Sequence, residues 1–137
     1  MPVVIGYVPN QHGDAALAAG LAEARLRGTG VVVVNSTKGD AFVDERYLGE
    51  GERAALEQRL AVSGVRHEIR QTMGRDVAEE ILATARDVSA DLIVLGLRHR
   101  TPVGKLLMGS VAQRVIMEAE CPVIAVKASS DSGAQGR

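Results

Sequence analysis

"DLIVLGLRHRTPVGKLLMGSVAQRVIMEAECPVIAVK", residues 91–127, reads as strand, loop, helix and strand in that order. Residues 91–95 form an apolar strand with a glycine, Gly96, directly behind it. A helix begins near Ser110, and Cys121 to Lys127 is a second strand. Two strands joined through a helix make a parallel, right-handed crossover. The rest of the chain repeats this unit.

Upstream, Val3 to Val8 is a short apolar run ended by Pro9-Asn10. Asp14 is placed to cap a helix running to about Arg27, with Leu17, Leu21 and Ala24 on one side. Its alanines allow close approach to a sheet, and Gly28 and Gly30 stop it. "VVVV", 31–34, is β-branched and polar on neither face, as in a parallel strand covered on both sides. Ser36 to Gly51 reads as a loop leading into a helix over roughly 52–63, with Leu56 and Leu60 inward. "VRHEIRQ", 65–71, alternates apolar-side and charged residues, the pattern of a half-exposed edge strand. Asp76 and Glu79 have capping-box spacing ahead of a helix striped by Val77, Ile81, Ala85 and Val88. From Ala128 onward Ser, Gly and Gln dominate, and a disordered tail over 128–137 is expected. No repeat or second domain is visible. The order β-α-β-α-β-α-β-α-β predicts a single-domain α/β fold, a doubly wound parallel sheet with helices on both faces. Ligands bind such sheets beyond the carboxyl ends of the strands, where strand order reverses. The loops after Val8, Val34 and Leu95 form that surface.

Composition narrows the classes. The 137 residues are 46% hydrophobic with only Tyr7, Phe42 and Tyr47 aromatic, so Val, Leu, Ile and Ala must build the core. A net charge of −1 gives no bulk attraction to nucleic acid or to a membrane surface. No apolar run approaches a membrane span, and Pro2 to Ile5 has neither the basic lead nor the length of a signal peptide. A single cysteine, Cys121, forbids an internal disulfide and fits a reducing cytoplasm.

The loop after Leu95 carries the chemistry. "LGLRHRTPVGKLLMGS", 95–110, looks like a phosphate loop, but Gly96 and Gly104 are separated by seven residues and Leu106 follows Lys105. A P-loop requires four residues there and then Ser or Thr. Nor does the first strand lead into G-x-G-x-x-G, so a Rossmann dinucleotide site is not expected. Another mechanism remains. The first N–H groups of a helix have no partners within it and sit at the positive end of its dipole. Gly109-Ser110 would let an anion approach those amides and add a hydroxyl donor. Arg98, His99, Arg100 and Lys105 add positive charge nearby. The alternative, a solvated basic loop and a plain helix cap, stays equally open on composition.

The run 91–127 resembles the C-terminal half of the universal stress protein family. That family's pattern is Gly, two residues, Gly, nine residues, Gly, then Ser or Thr, followed by a helix and a Cys-Pro-Val strand. Here Gly96 and Gly109-Ser110 stand at the matching distance. "GRDVAEEILATARDVSADLIVLG" resembles the family's third helix and fourth strand, and "VVIGYVPNQHGDAAL" is a looser match. The resemblance implies one domain over 1–127, a five-stranded sheet ordered 3-2-1-4-5, and a homodimer through the last strand. It also implies a stress-response module, working by binding rather than catalysis, with an ATP or AMP site in some members. Magnesium is expected only together with ATP. Carried over by position, Tyr7 and Val8 lie by the nucleoside and Ser36 near the adenine. Leu95, Gly96, Arg98, His99, Gly109, Ser110 and Val111 line the phosphate side.

Two residues depart from the family's binders. His99 stands at the second glycine of the pattern, where a Cβ restricts backbone approach, although its ring can hydrogen-bond a phosphate. Val8 stands where binders usually carry Asp and accepts no hydrogen bond from ribose or base. Losing that contact costs about 1–3 kcal/mol, roughly a 5- to 150-fold loss of affinity. Pro9 stiffens the same loop.

Other residues read more plainly. His67 is expected at an edge or surface rather than on a metal. His12 could line the cleft but lacks the second His of an H-x-G-H adenylyl-transfer motif. Cys121 is expected as a buried structural thiol, and Met108 and Met117 as core filler. No general base or metal-binding carboxylate cluster marks the 96–110 loop; Asp91 lies at the wrong end of its strand. No catalytic residue and no metal ligand is therefore named. The classes left are a nucleotide-binding module, a relative that acts only through unidentified protein partners, and a slow ATP hydrolase. A receiver domain would need acidic residues where Val8-Pro9 and Gln71-Thr72 stand.

Overall fold

A computed structural model of the chain describes residues 1–37, 48–74, 76–97 and 109–128. Nine elements alternate along these residues. They are β1 (Val3–Gly6), α1 (Gln11–Arg27), β2 (Val31–Thr37), α2 (Glu50–Ser63), β3 (His67–Met73), α3 (Val77–Asp87), β4 (Leu92–Leu97), α4 (Ser110–Glu118) and β5 (Val123–Lys127). The strands form one five-stranded parallel sheet in the order β3-β2-β1-β4-β5, as expected.

The Val31–Val34 run shows why the sheet needs helices on both faces. Successive side chains of a strand point to opposite faces. Val31 and Val33 join Leu17 and Leu21 of α1 and Leu56 and Leu60 of α2. Val32 and Val34 join Ile81 and Leu82 of α3 and Val115 of α4. All four valines are buried. Gly13, Ala16, Gly20 and Ala24 lie on the buried side of α1, so small residues let it sit close over β1 and β4. The edges look different: β3 is exposed at His67, Glu68 and Met73, and β5 at Ala125 and Lys127.

Several boundaries move for local reasons. Helix α1 starts at Gln11, three residues before the expected Asp14 cap, because the Asn10 side chain accepts the His12 and Gly13 amides. Asp14 instead sits in the first turn. Strand β2 continues through Ser36 to Thr37, and α2 begins at Glu50, since Glu52 reaches back to the Gly49 amide. Strand β3 starts at His67 rather than Val65, because Val65 donates its amide to the Ser63 hydroxyl. Strands β4 and β5 begin one and two residues after the expected starts and β4 runs on through Leu97. The Asp76 cap is present, but only half of the expected box forms. Asp76 accepts from Ala78 and Glu79, whereas the Glu79 carboxylate is taken by Arg114 and Arg86.

Met117 is not core filler. It is 77% exposed, because α4 turns Ala112 and Val115 inward instead. Cys121 is half-buried against the α3/α4 face. Met108, Phe42, Tyr47 and the tail beyond Ala128 lie outside the described residues.

Candidate functional site

Strand β1 sits at the centre of the sheet, with β2 on one side and β4 on the other. From β1 the chain leaves to α1 on one face, and from β4 it leaves to α4 on the other. The two connections diverge and open a crevice at the carboxyl ends of the strands. A cavity of about 230 Å³ occupies it.

Eight of the ten sequence-predicted residues line this cavity. Tyr7 and Val8 directly follow β1, and Ser36 comes from the end of β2. Leu95 and Gly96 come from β4, and Gly109, Ser110 and Val111 from the start of α4. The remaining two, Arg98 and His99, lie outside the described residues, as do Arg100 and Lys105. Sequence reasoning missed the apolar wall formed by Val34, Val77 and Ile81, which belong to strand and helix stripes read as core, and by Leu97, which was read as part of the loop after Leu95. His12, read from the sequence as one that could line the cleft, does line it, with Asn10.

The helix starts around the crevice are chemically unlike. At α1 the Asn10 side chain fills two amides, and at α3 Asp76 does the same. Helix α4 is capped by Gly109, which has no side chain to offer. Its first intrahelical bond runs from the Gln113 amide to the Gly109 carbonyl. The amides of Ser110, Val111 and Ala112 therefore have no acceptor among the described residues, and all three residues line the cavity. No acidic residue sits in that first turn. The arrangement offers unfilled donors at the positive end of a helix dipole.

Behind the crevice, a polar network holds the strand ends together. Asn35, fully buried, donates from Nδ2 to the Tyr7 carbonyl at 2.9 Å and accepts the Leu48 amide at 2.9 Å on Oδ1. Gln71 donates to the Leu48 carbonyl at 2.8 Å and to Asn35 at 3.1 Å, and accepts from Arg53 at 2.9 Å. This network ties the ends of β1, β2 and β3 to the approach to α2. Beyond the bond from the Tyr7 amide to the Val34 carbonyl, β1 turns away while β2 continues. The far end of β2 thus has an edge facing the crevice. There the Thr72 and Ser36 hydroxyls are hydrogen-bonded at 2.8 Å.

Tyr7 is buried, and its hydroxyl donates to Asp14 at 3.3 Å; Asp14 in turn pairs with Arg59 at 2.8 Å. Burial, reinforced by the Asp14 charge, pushes the Tyr7 phenol above its usual range. Burial, with Asp91 and Glu120 nearby, likewise raises the Cys121 thiol, so Cys121 is a poor nucleophile. His67 is exposed on the edge strand, its Nδ1 at 2.9 Å from the Val65 carbonyl. Among the described residues no group of three His, Cys, Asp or Glu is placed to hold a metal ion. No helix among them is long and apolar enough to cross a membrane.

The fold and this glycine-capped helix can be set beside known proteins. The universal stress protein family model (Usp) matches residues 1–127. The chain belongs to that family. A universal stress protein of Mycolicibacterium smegmatis is 50% identical over 125 residues, covering 91% of this chain and 96% of the relative. A universal stress protein structure from Archaeoglobus fulgidus superposes with a TM-score of 0.75 at 32% identity, covering 93% of this chain and 98% of that one. A second Archaeoglobus fulgidus universal stress protein structure, a complex with dAMP, has a TM-score of 0.63 at 28% identity over 93% and 98% of the two chains.

Proposed function

We propose that this universal stress protein is a binding module whose crevice takes an adenine nucleotide, with the phosphate on the amides of Ser110, Val111 and Ala112. The observation that carries the reading is the open, glycine-capped start of α4 facing the cavity. Phosphate binds such termini through backbone donors and the helix dipole without needing a cationic side chain. The dAMP complex of the Archaeoglobus fulgidus relative supports the choice of ligand. In this reading the ends of β1 and β2, with Tyr7, Val8 and Ser36, hold the nucleoside, and Leu95 and Gly96 lie beneath the phosphate.

AMP is the first ligand to test, because the supporting complex holds a nucleoside monophosphate. ATP, with magnesium, would draw further on the positive residues Arg98, His99 and Lys105, which lie outside the described residues. We read it as a module that acts by binding, and among the described residues no group of three His, Cys, Asp or Glu stands ready to hold a metal ion for hydrolysis. Calorimetry with AMP and ATP tests this: heat saturating below millimolar ligand supports the site, and none at millimolar overturns it.

Val8 favours one second reading. It lines the cavity with a side chain that accepts nothing from ribose or base. A member that has lost nucleotide and works only through protein partners would give no heat with either ligand.

The module acts in the cytoplasm as a homodimer through β5. Among the described residues strand β5 is bonded only to β4, which leaves its other backbone edge open, and its Val123, Ile124 and Val126 are only partly buried. Pairing about a two-fold axis covers such an edge. Light scattering at micromolar concentration tests it: twice the chain mass is expected, and a monomer overturns it.

A further inference from the structure

Three carboxylates converge on one cation between two helices that flank the cavity. Helix α3 contributes Val77 and Ile81 to the lining, and α4 contributes Ser110, Val111 and Ala112. Asp76, directly before Val77, uses both of its oxygens. Oδ1 accepts the Ala78 and Glu79 amides, and Oδ2 accepts from Arg114 Nη1 at 3.2 Å. Arg114 Nη2 donates to Glu79 at 2.6 Å, and Nε donates to Glu118 at 3.2 Å. Arg114 stands one turn behind Ser110, about 6 Å further along the helix axis. A charge at that separation acts within the roughly 8–10 Å that salt leaves unscreened.

Acidic side chains suit the start of α3, where they meet the positive end of its own dipole. The same charges oppose a phosphate at the start of α4. All four side chains are partly exposed, so their pairing adds little to stability. Its consequence is the charge left beside the cavity. We propose that Arg114 sets the selectivity of the crevice for a phosphate-bearing ligand, by cancelling Asp76 and Glu79 charge that would otherwise repel the phosphate from the α4 amides. The inference rests on the nucleotide reading above. Arg114 does not line the cavity. It acts through the carboxylates it holds, as a positioning residue.

The test is calorimetry with AMP and adenosine on wild type, Arg114→Gln, Glu79→Gln and the double variant. Arg114→Gln is expected to bind AMP roughly 3- to 10-fold more weakly, the size of one like-charge repulsion across partly solvated space. It should bind adenosine as wild type does. The double variant returns the cluster to its wild-type net charge and should recover the AMP affinity. Raising salt from about 0.02 M to about 0.5 M should close the gap between wild type and Arg114→Gln. A purely structural role for Arg114 would weaken adenosine as well, and Glu79→Gln would not repair it. Equal AMP affinity for wild type and Arg114→Gln, or a loss that the double variant does not recover, overturns the inference and leaves the nucleotide site standing. Failure of wild type to bind AMP at millimolar concentration overturns both. Thermal melts identify any Arg114 variant that fails to fold. Glu79→Gln alone then carries the test: AMP should bind about 2- to 5-fold more tightly than to wild type with adenosine unchanged, and an unchanged AMP affinity overturns the inference.

Discussion

Gly96, at the end of β4, lies against the first turn of α1 so closely that a Cβ there would stand 2.2 Å from the His12 carbonyl oxygen. Its backbone lies outside the left-handed region, so the requirement is space and not conformation. The first glycine of the 96–109 pattern is thus explained by packing between a strand and a neighbouring helix start. The obstacle is backbone, which cannot rotate away. Gly96→Ala is expected to destabilise the fold by about 1–3 kcal/mol, the usual cost of overpacking. Urea unfolding checks it, and a midpoint equal to wild type would show that the α1 start gives way freely.

Asn35 stands at the convergence of three strand ends. Asn35→Ala removes the donor to the Tyr7 carbonyl and the acceptor for the Leu48 amide, both buried. Two buried groups left unpaired cost roughly 2–6 kcal/mol. Denaturant melts should show that loss. Asn35→Asp keeps the acceptor and should fall between wild type and Asn35→Ala; a loss equal to or greater than that of Ala would overturn this.

Much of the architecture was legible because it is local. Val31–Val34 and Leu92–Leu95 announce covered strands by composition alone, and the alternation around His67 to Arg70 announces an edge. The start of α1 was not, since Asp14 and Asn10 are both good caps and only the chain direction after Pro9 decides between them. Met117 was misplaced because an apolar residue type does not say which side of a short helix it occupies. At the site, Gly109-Ser110 was readable from residue type at a helix start. The Asn35–Leu48–Gln71 network was not, because its partners are 13, 23 and 36 positions apart. No local pattern encodes a meeting of that range. A lone Asn directly behind four valines was the available signal.

The Tyr7 phenol gives stability a dependence on alkaline pH. Burial raises its folded value above the ordinary 10.0, so the folded chain holds the proton more tightly than the unfolded chain. The contribution is complete below pH 10 and fades as pH rises through the folded value. Melting temperatures between pH 8 and 11.5 should fall more steeply for wild type than for Tyr7→Phe above pH 10. Parallel curves would assign the alkaline slope to other groups.

Ser110→Pro separates the anion site from the stability of α4. Ser110 is the first helical residue, where proline is favoured because no intrahelical partner exists for its amide. Proline also restricts the residue before it to extended backbone, and Gly109 already has φ −69 and ψ 162. The substitution therefore fits the fold while deleting one amide and one hydroxyl donor at the cavity. Hydrogen bonds to a charged group are worth about 1.5–3 kcal/mol, so AMP affinity should drop roughly 10- to 100-fold. Adenosine, which has no phosphate, should bind the variant and wild type alike. Calorimetry with both ligands reads the difference, and thermal melts should stay within a degree or two of wild type. An equal drop for adenosine would mean that the α4 start shapes the cavity as a whole instead of holding the phosphate.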